Sequence, residues 1–253
     1  MAISDTLISI VIPALNEKQY LPGAITTAYK RAEAPTRIEI IVADSGSKDG
    51  SRDTALRHKA FWVEGHPPAD SRARAMNLGV KNSVGKVVLF LHADVRLPKR
   101  YDQLIREVMH DPQVVGGAFE FSFEHISVGL WLTEQLNRLR YRMGKTYYGD
   151  QCIFVRKDVF ERLGGYPDLA IMEDAALSQM LAKEGRMVLI PKKVRVSIRR
   201  FRNEGVWRML FKDMRIWWRD VRGKDVQQFA DEYRRDNIER AGPAELHTKT
   251  IEP

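Results

Sequence analysis

A single cysteine, Cys152, stands among 253 residues, so no disulfide can form within the chain, which fits a reducing compartment. No apolar run approaches the roughly 18–20 residues that a membrane span needs. The N-terminus lacks the basic, apolar and small-residue order of a signal peptide. These absences predict a soluble, cytoplasmic protein. Catalytic signatures are missing too. No G-x-G-x-x-G, P-loop or G-x-S-x-G occurs, which argues against a dinucleotide oxidoreductase, a P-loop NTPase and an α/β-hydrolase. No internal repeat and no low-complexity linker divides the chain. Apart from His92, the histidines show no metal-ligand spacing.

What is present is a large apolar fraction, 44%, enough for a sizeable core, and a net charge of +8 that is unevenly spread. Arg195 to Arg222 holds nine basic and three acidic side chains. Such a stretch suits nucleic acid, anionic lipid or phosphorylated ligands.

The first half alternates strands and helices. Leu7–Ile12, Ile38–Val42, Phe61–Val63 and Val87–Leu91 read as buried strands. Tyr20–Ala32, a turn-capped helix through Leu56, Asp70–Asn82 and a helix from Pro98 to about His110 lie between or after them. This order predicts an α/β fold with a mostly parallel sheet, whose ligands bind at the carboxyl ends of the strands. The second half is less regular. Strands are expected at Gly116–Phe123, Gln151–Val155 and Met187–Ile190, and helices at Ile126–Arg142, before Gly164-Gly165, and at Asp174–Lys183. A basic, aromatic-rich helix follows at Val206–Val221. The reading is a catalytic domain over 1–203, basic amphipathic helices over 204–235, and a disordered tail over 236–253.

Several strand and helix ends carry groups able to do chemistry. Asp94, in His92-Ala93-Asp94 after the most apolar strand, suits a hard divalent cation bound to a diphosphate, although an Asp there is also a common turn cap. His92 reads as a metal ligand or as a satisfied polar residue. Glu173-Asp174 opens a helix, where paired carboxylates either divide base and orienting roles or complement the helix dipole. Asp44 either accepts from a base N–H or forms an Asx-turn. Arg199 and Arg200, beside Phe201, form a cluster whose planar forks suit phosphate, or a solvated charge run.

In this order the segments resemble family 2 glycosyltransferases of the GT-A fold, a mixed sheet flanked by helices. Ile8-Ser9-Ile10-Val11-Ile12-Pro13-Ala14-Leu15-Asn16-Glu17 is similar to that family's first strand and nucleotide loop. Ile40 to Ser51 is similar to its second strand and turn, Val87 to Asp94 to the strand delivering a D-x-D, and Glu173-Asp174, after Gly164-Gly165-Tyr166, to its E-D pair. The resemblance covers Leu7 to Val221. Ser71–Gly79, Phe90–Asp94, Gly149-Asp150-Gln151 and Ser197–Phe201 further resemble a bacterial subgroup of transferases named for association with radical-SAM and selenium-domain proteins.

The resemblance implies a metal-dependent, inverting transfer of a sugar from a UDP- or GDP-sugar. It implies a nucleotide pocket of Pro13, Ala14, Glu17, Asp44, Arg72 and Ala93. A divalent cation, Mn²⁺ or Mg²⁺, would sit on Asp94 with His92 beside it, and Asp174 would be the base, supported by Glu173. Asp150, Gln151, Arg199, Arg200 and Phe201 would face the diphosphate and acceptor. Two positions depart from the family pattern. His92 replaces one D-x-D carboxylate, and Ser197-Ile198-Arg199-Arg200-Phe201 lacks the Gln and Trp of Q-x-x-R-W, which argues against a processive synthase.

The basic helix at 206–221 admits three readings: packing on the core, an interfacial helix on an anionic membrane at the inner face of the plasma membrane, or a homodimer contact. The membrane reading suits a lipid-linked acceptor. Rival functions are a sugar nucleotidyltransferase, a degenerate nucleotide-sugar binder and a basic nucleic-acid-binding module. The first lacks its Gly-rich, Arg-containing loop. The last leaves the strand-end acids without a use, so no nucleic-acid partner is expected.

Overall fold

Strands β1 (Ile8–Ala14) and β2 (Ile38–Asp44) lie parallel, paired from Ile8 with Ile38 to Ala14 with Asp44. Both are nearly continuous apolar runs, as strands covered on both faces must be. In this computed structural model residues 6–65, 71–124, 127–144, 146–199, 201, 205–222 and 225–229 are described. Arg200 and the tail 236–253 lie outside them.

The sheet has eight strands in the order β3-β2-β1-β4-β7-β6-β8-β5. Its parallel half holds β3 (Phe61–Glu64), β2, β1 and β4 (Val87–Phe90). Strand β7 (Phe154–Arg156) runs antiparallel to both β4 and β6 (Val114–Phe123), and β8 (Arg186–Val196) is parallel to β6. The sheet is therefore mixed. Because the chain leaves β1 toward β2 on one side and returns to β4 on the other, a crevice opens between the carboxyl ends of β1 and β4.

Helices cover both faces. On one, α1 (Leu21–Arg31) and α4 (Tyr101–Met109) bury Leu21, Ile25, Tyr101 and Ile105 against Ile10, Ile12 and Leu89. On the other, α3 (Arg72–Lys81), α6 (Lys157–Arg162) and α7 (Glu173–Glu184) bury Met76, Val80, Phe160, Leu177 and Leu181 against Val11, Val88 and Phe90. Each large apolar side chain so buried contributes about 1.5–3 kcal/mol. Helix α3 approaches β1 closely because Gly79 has no side chain; a Cβ there would run into Val11 Cγ1. Ser71 caps the same helix by accepting from Arg74 N at 3.2 Å.

Buried Asp102 accepts from Glu33 N, Ala34 N and Arg106 Nη1 at 2.8, 3.0 and 2.6 Å. Burial alone would push its carboxyl up, but these donors hold it below the usual aspartate value. Arg106 also donates to the carbonyls of Thr6 and Arg37, tying α4 to the entries of β1 and β2.

Three elements differ from the sequence reading. Strand β8 does not stop at Ile190 but continues to Val196. Pro191 falls at a register shift, where Phe119 pairs with Ile190 and Glu120 with Lys193, and a bulge is where a strand tolerates proline. The extension then pairs with a short strand unseen in the sequence, β5 (Val95–Arg96), through Val95 with Val196. Gln151, expected to start a strand, lies instead in the 3-10 turn Gly149–Gln151.

Helix α5 (Val128–Gly144) packs beside α8 (Val206–Val221), their first turns meeting where Gly129 faces Val206. Helix α2 (Ser51–Arg57) completes the set among the described residues. Among the described residues no helix is long and apolar enough to cross a membrane.

Candidate active site

The loop after β1 and the loop after β2 are joined into one wall. Ser45 N donates to Ala14 O at 2.9 Å, Asn16 N to Ser47 Oγ at 2.8 Å, Lys48 N to Asn16 Oδ1 at 2.9 Å and Glu17 N to Ser51 Oγ at 3.0 Å. Asn16 takes a left-handed backbone, φ 55°, a conformation Asn tolerates better than most side chains. Asp44 accepts from Gly46 N at 2.8 Å and Ser47 N at 2.9 Å, so its carboxylate builds an Asx-turn that shapes the wall.

Across the crevice, Asp94 ends the segment after β4. Arg199 spans the gap. It donates through Nη1 and Nη2 to the two oxygens of Glu17, both at 2.7 Å, and its Nε lies 2.8 Å from Asp94 Oδ2. The guanidinium also lies over the Tyr20 ring, 4.3 Å from its centroid. Burial works against the charge on Arg199, but Glu17 and Asp94 outweigh it and raise its pKa above the ordinary arginine value. Glu17 is pushed up by burial despite the Arg199 bonds. Ser197 N, donating to Asp94 O at 3.1 Å, fastens this segment to the strand end.

The second half of the site begins α7. Met172 is left-handed, φ 64°, and turns the chain so that Glu173 and Asp174 enter the first helical turn buried. Arg72 donates to Glu173 Oε1 at 2.5 Å and lies 3.9 Å from Asp174 Oδ2. Asp174 is raised to about 7, first by burial and then by Glu173, with Asp150 adding to the rise; Arg72 opposes it. The buried Tyr166 hydroxyl faces the same carboxylate and, with Arg72, works against the rise. Glu173 Oε2 and Asp174 Oδ1 are buried and without hydrogen-bond partners.

His92 meets this pair. Its Nε2 is sealed from solvent and unpartnered, and burial lowers its pKa to about 4, so the ring is neutral. A Cβ on Gly149 would lie 2.8 Å from His92 Nε2 and closer still to Asp174 Oδ2. The glycine therefore lets His92 and Asp174 border the same space.

The structure thus brings Glu17, Asp94 and Arg199 together, and beside them Asp150, Glu173, Asp174 and Arg72, with His92 within reach of both groups. Several other expectations change. Arg72 engages the acid pair rather than standing free for a phosphate. Gln151 is buried, its Nε2 donating to Phe119 O and its Oε1 accepting from Tyr148 N, so it holds the turn and does not face a ligand. Phe201 packs edge-on against Phe123 at 4.9 Å, an extension of the core. Ala14 and Ala93 direct their side chains into that core, leaving only backbone for a nucleotide, while Pro13 is half-buried opposite Ala43. Arg200 is outside the described residues. Tyr20 and Gly149 were missed as site residues, because no sequence periodicity links Tyr20 to Arg199 or Gly149 to His92.

Among the described residues no three of His, Cys, Asp and Glu converge as a closed metal cage. A hard cation that keeps most of its ligands from phosphate and water needs only one or two carboxylates. Asp94, at the mouth of the crevice, fits that requirement, and the orphaned Nε2 of His92 is a neutral nitrogen nearby.

A family model described as Glycosyl transferase family 2 matches residues 9–164, more than half of the chain. Glycosyltransferase AglE of Haloferax volcanii is 23% identical over 176 residues, 64% of this chain and 56% of that protein. An uncharacterized glycosyltransferase of Rickettsia prowazekii is 35% identical over 104 residues, 41% of this chain and 32% of that protein. The chain thus spans about half or less of these relatives. Among solved structures, the mannosyltransferase PcManGT from Pyrobaculum calidifontis, in complex with GDP-Man and Mn²⁺, superposes with a TM-score of 0.64 at 20% identity, over 95% of this chain and 76% of that one. S. aureus TarS 1-349 in complex with UDP-GlcNAc gives 0.62 at 15% identity, over 76% and 58%. These two likenesses establish the fold.

Proposed function

This chain belongs to glycosyl transferase family 2, and on that footing we propose that it moves a sugar from a nucleoside-diphosphate donor to an acceptor hydroxyl or phosphate, by one in-line displacement with inversion. The observation that carries this reading is the buried Asp174, raised to about 7 beside Glu173 and Arg72, close to the crevice that holds Arg199 and Asp94. A base with that pKa is half-ionised near neutrality, where proton transfer is most efficient.

The joined loops after β1 and β2 receive the nucleoside, of UDP or GDP, with Asp44 fixing their shape. Arg199, held by Glu17 and Asp94, lines the crevice, and by exchanging those carboxylates for the diphosphate it would lend positive charge as the sugar–phosphate bond breaks. Asp94 would hold a divalent cation, Mn²⁺ or Mg²⁺, with His92 beside it, and the cation offsets charge on the leaving diphosphate. Asp174 takes the acceptor proton, and Glu173 orients Arg72 against it. The two solved neighbours, in complex with GDP-Man and UDP-GlcNAc, support a nucleotide-sugar donor. We read 1–203 as the catalytic unit and 204–235 as an appended basic amphipathic unit. The single buried thiol, Cys152, fits a cytoplasmic setting.

The test is a thermal-shift series with UDP, GDP, CDP, dTDP and their sugars, with and without Mn²⁺ or Mg²⁺. A ligand that binds only the native state raises the melting temperature. One base is expected to stabilise in a metal-dependent way, with that dependence lost in Asp94→Ala and kept in Asp174→Asn. No shift with any nucleotide, from folded protein, would overturn the reading.

A further inference from the structure

Helix α8 leaves an apolar stripe uncovered. Trp207, Phe211, Met214 and Trp218 are 55%, 71%, 39% and 53% exposed. Their spacing, i, i+4, i+7 and i+11, places them on one line of the helix. Met209, Leu210 and Ile216 form its buried face. A second line at the same spacing, Arg208, Lys212, Arg215 and Arg219, continued by Arg222, lies about 100° round the helix from the aromatic stripe; Arg215 and Arg219 lie over the Phe229 ring, while Arg208 and Arg222 are exposed. Arg222 stacks on the Trp218 ring at 3.1 Å, joining the basic line to the aromatic one.

Helix α5 extends the apolar surface. Val128, Trp131 and Leu139 are exposed at i, i+3 and i+11. Between α5 and α8 lies an apolar cavity of about 170 Å³ lined by Leu136, Leu139, Leu210, Met214 and Trp217. Leu139 and Met214 both line it and both reach solvent, so the two exposed stripes meet at its rim. Ile216 packs on Ile171 and Met172, immediately before Glu173 and Asp174, so the exposed surface is anchored beside the base. Residues 230–253 hold few large apolar side chains, Tyr233, Ile238, Leu246 and Ile251, and are a poor match for this stripe.

We propose that the α5–α8 face docks on an anionic lipid surface, with Trp207, Phe211, Met214 and Trp218 entering the interface and the exposed Arg208 and Arg222 meeting the headgroups. Aromatic rings with a basic flank are the composition that lies in a bilayer interface. The proposal rests on the family reading only for its use, because binding to lipid requires no donor. Trp217 is excluded from the inserting set. It is half-buried against α5, so changing it would disturb packing.

The experiment is co-sedimentation of the full chain with vesicles of phosphatidylcholine alone, and of phosphatidylcholine with phosphatidylglycerol at roughly three to one. Binding is expected to the mixed vesicles, to weaken as salt rises, and to fall at least about tenfold in Phe211→Glu with Trp218→Glu. Arg208→Gln is expected to weaken it about fivefold. Circular dichroism and the donor-induced thermal shift are read on the same variants. Failure of the folded wild type to sediment with anionic vesicles overturns the proposal, as does undiminished binding by the double variant. A dimer in light scattering that the double variant dissolves, without lipid binding, assigns the face to a second copy and overturns it too. Absence of a donor shift in wild type that still sediments with anionic vesicles counts against the enzymatic reading alone.

Discussion

Arg199 closes on Glu17 through two bonds of 2.7 Å, joining residues 182 positions apart, and the same guanidinium reaches Asp94. Removing the cation leaves two carboxylates facing each other across the crevice. Arg199→Met is expected to destabilise the protein by about 1–3 kcal/mol, because each acid loses its charged partner. Arg199→Lys keeps the charge but not the planar fork, and should recover only part of the stability. Chemical denaturation of the three proteins at one pH checks the order.

Asp174 carries a pH signature. Its folded pKa, about 7, lies above the ordinary aspartate value of 3.8, so between these limits the folded state binds more protons than the unfolded one. The group therefore costs stability progressively as pH rises from about 4 to 7. Asp174→Asn removes that cost, and the variant is expected to be more stable than wild type at pH 8 by about 1–3 kcal/mol. Its turnover should fall by about 10²–10⁴-fold. Melting temperatures across pH, alongside release of nucleoside diphosphate, test both halves.

Arg72 is the cation that opposes the rise in Asp174. Arg72→Met should push the Asp174 ionisation upward by on the order of one pH unit, since an opposite charge nearby favours the ionised form. The acidic limb of the pH–rate profile should move with it. An unmoved limb would separate Arg72 from the base.

Gly149 leaves open the space that His92 and Asp174 both border. Gly149→Ala forces a methyl group against both and is expected to cost about 1–3 kcal/mol of stability. Activity should fall further than at Gly79→Ala, where the new methyl meets Val11 and stays in the core. Comparing the two variants at equal folded fraction isolates the effect on the site.

The parallel half of the sheet was legible from local rules and the family from the order of its motifs, and Glu17, Asp94, Asp174 and Arg199 were singled out as candidates in the sequence. Buried parallel strands read as apolar runs, and polar residues at their carboxyl ends lie where such folds bind ligands. Which acid meets which base was not legible. Arg72 lies 101 positions from Glu173 and Tyr20 lies 179 from Arg199, and no periodicity encodes a distance of that kind. Gln151 and Phe201 turned inward for the same reason. Their polar or aromatic character suits a ligand and a core equally, and only neighbours from β6, Phe119 and Phe123, decide between them. The sequence of α8 likewise set an amphipathic helix, but packing chose its faces. Met209, Leu210 and Ile216 were buried and Trp218 was left to solvent because α5 and Ile171 approach from one side only. Local sequence determined most elements and the chemistry each carries, while the β5 pairing and the extension of β8 arose from tertiary contact. Tertiary structure decided burial and pairing, and with them the charge state of Asp174, since desolvation and neighbouring charge exist only once distant segments meet.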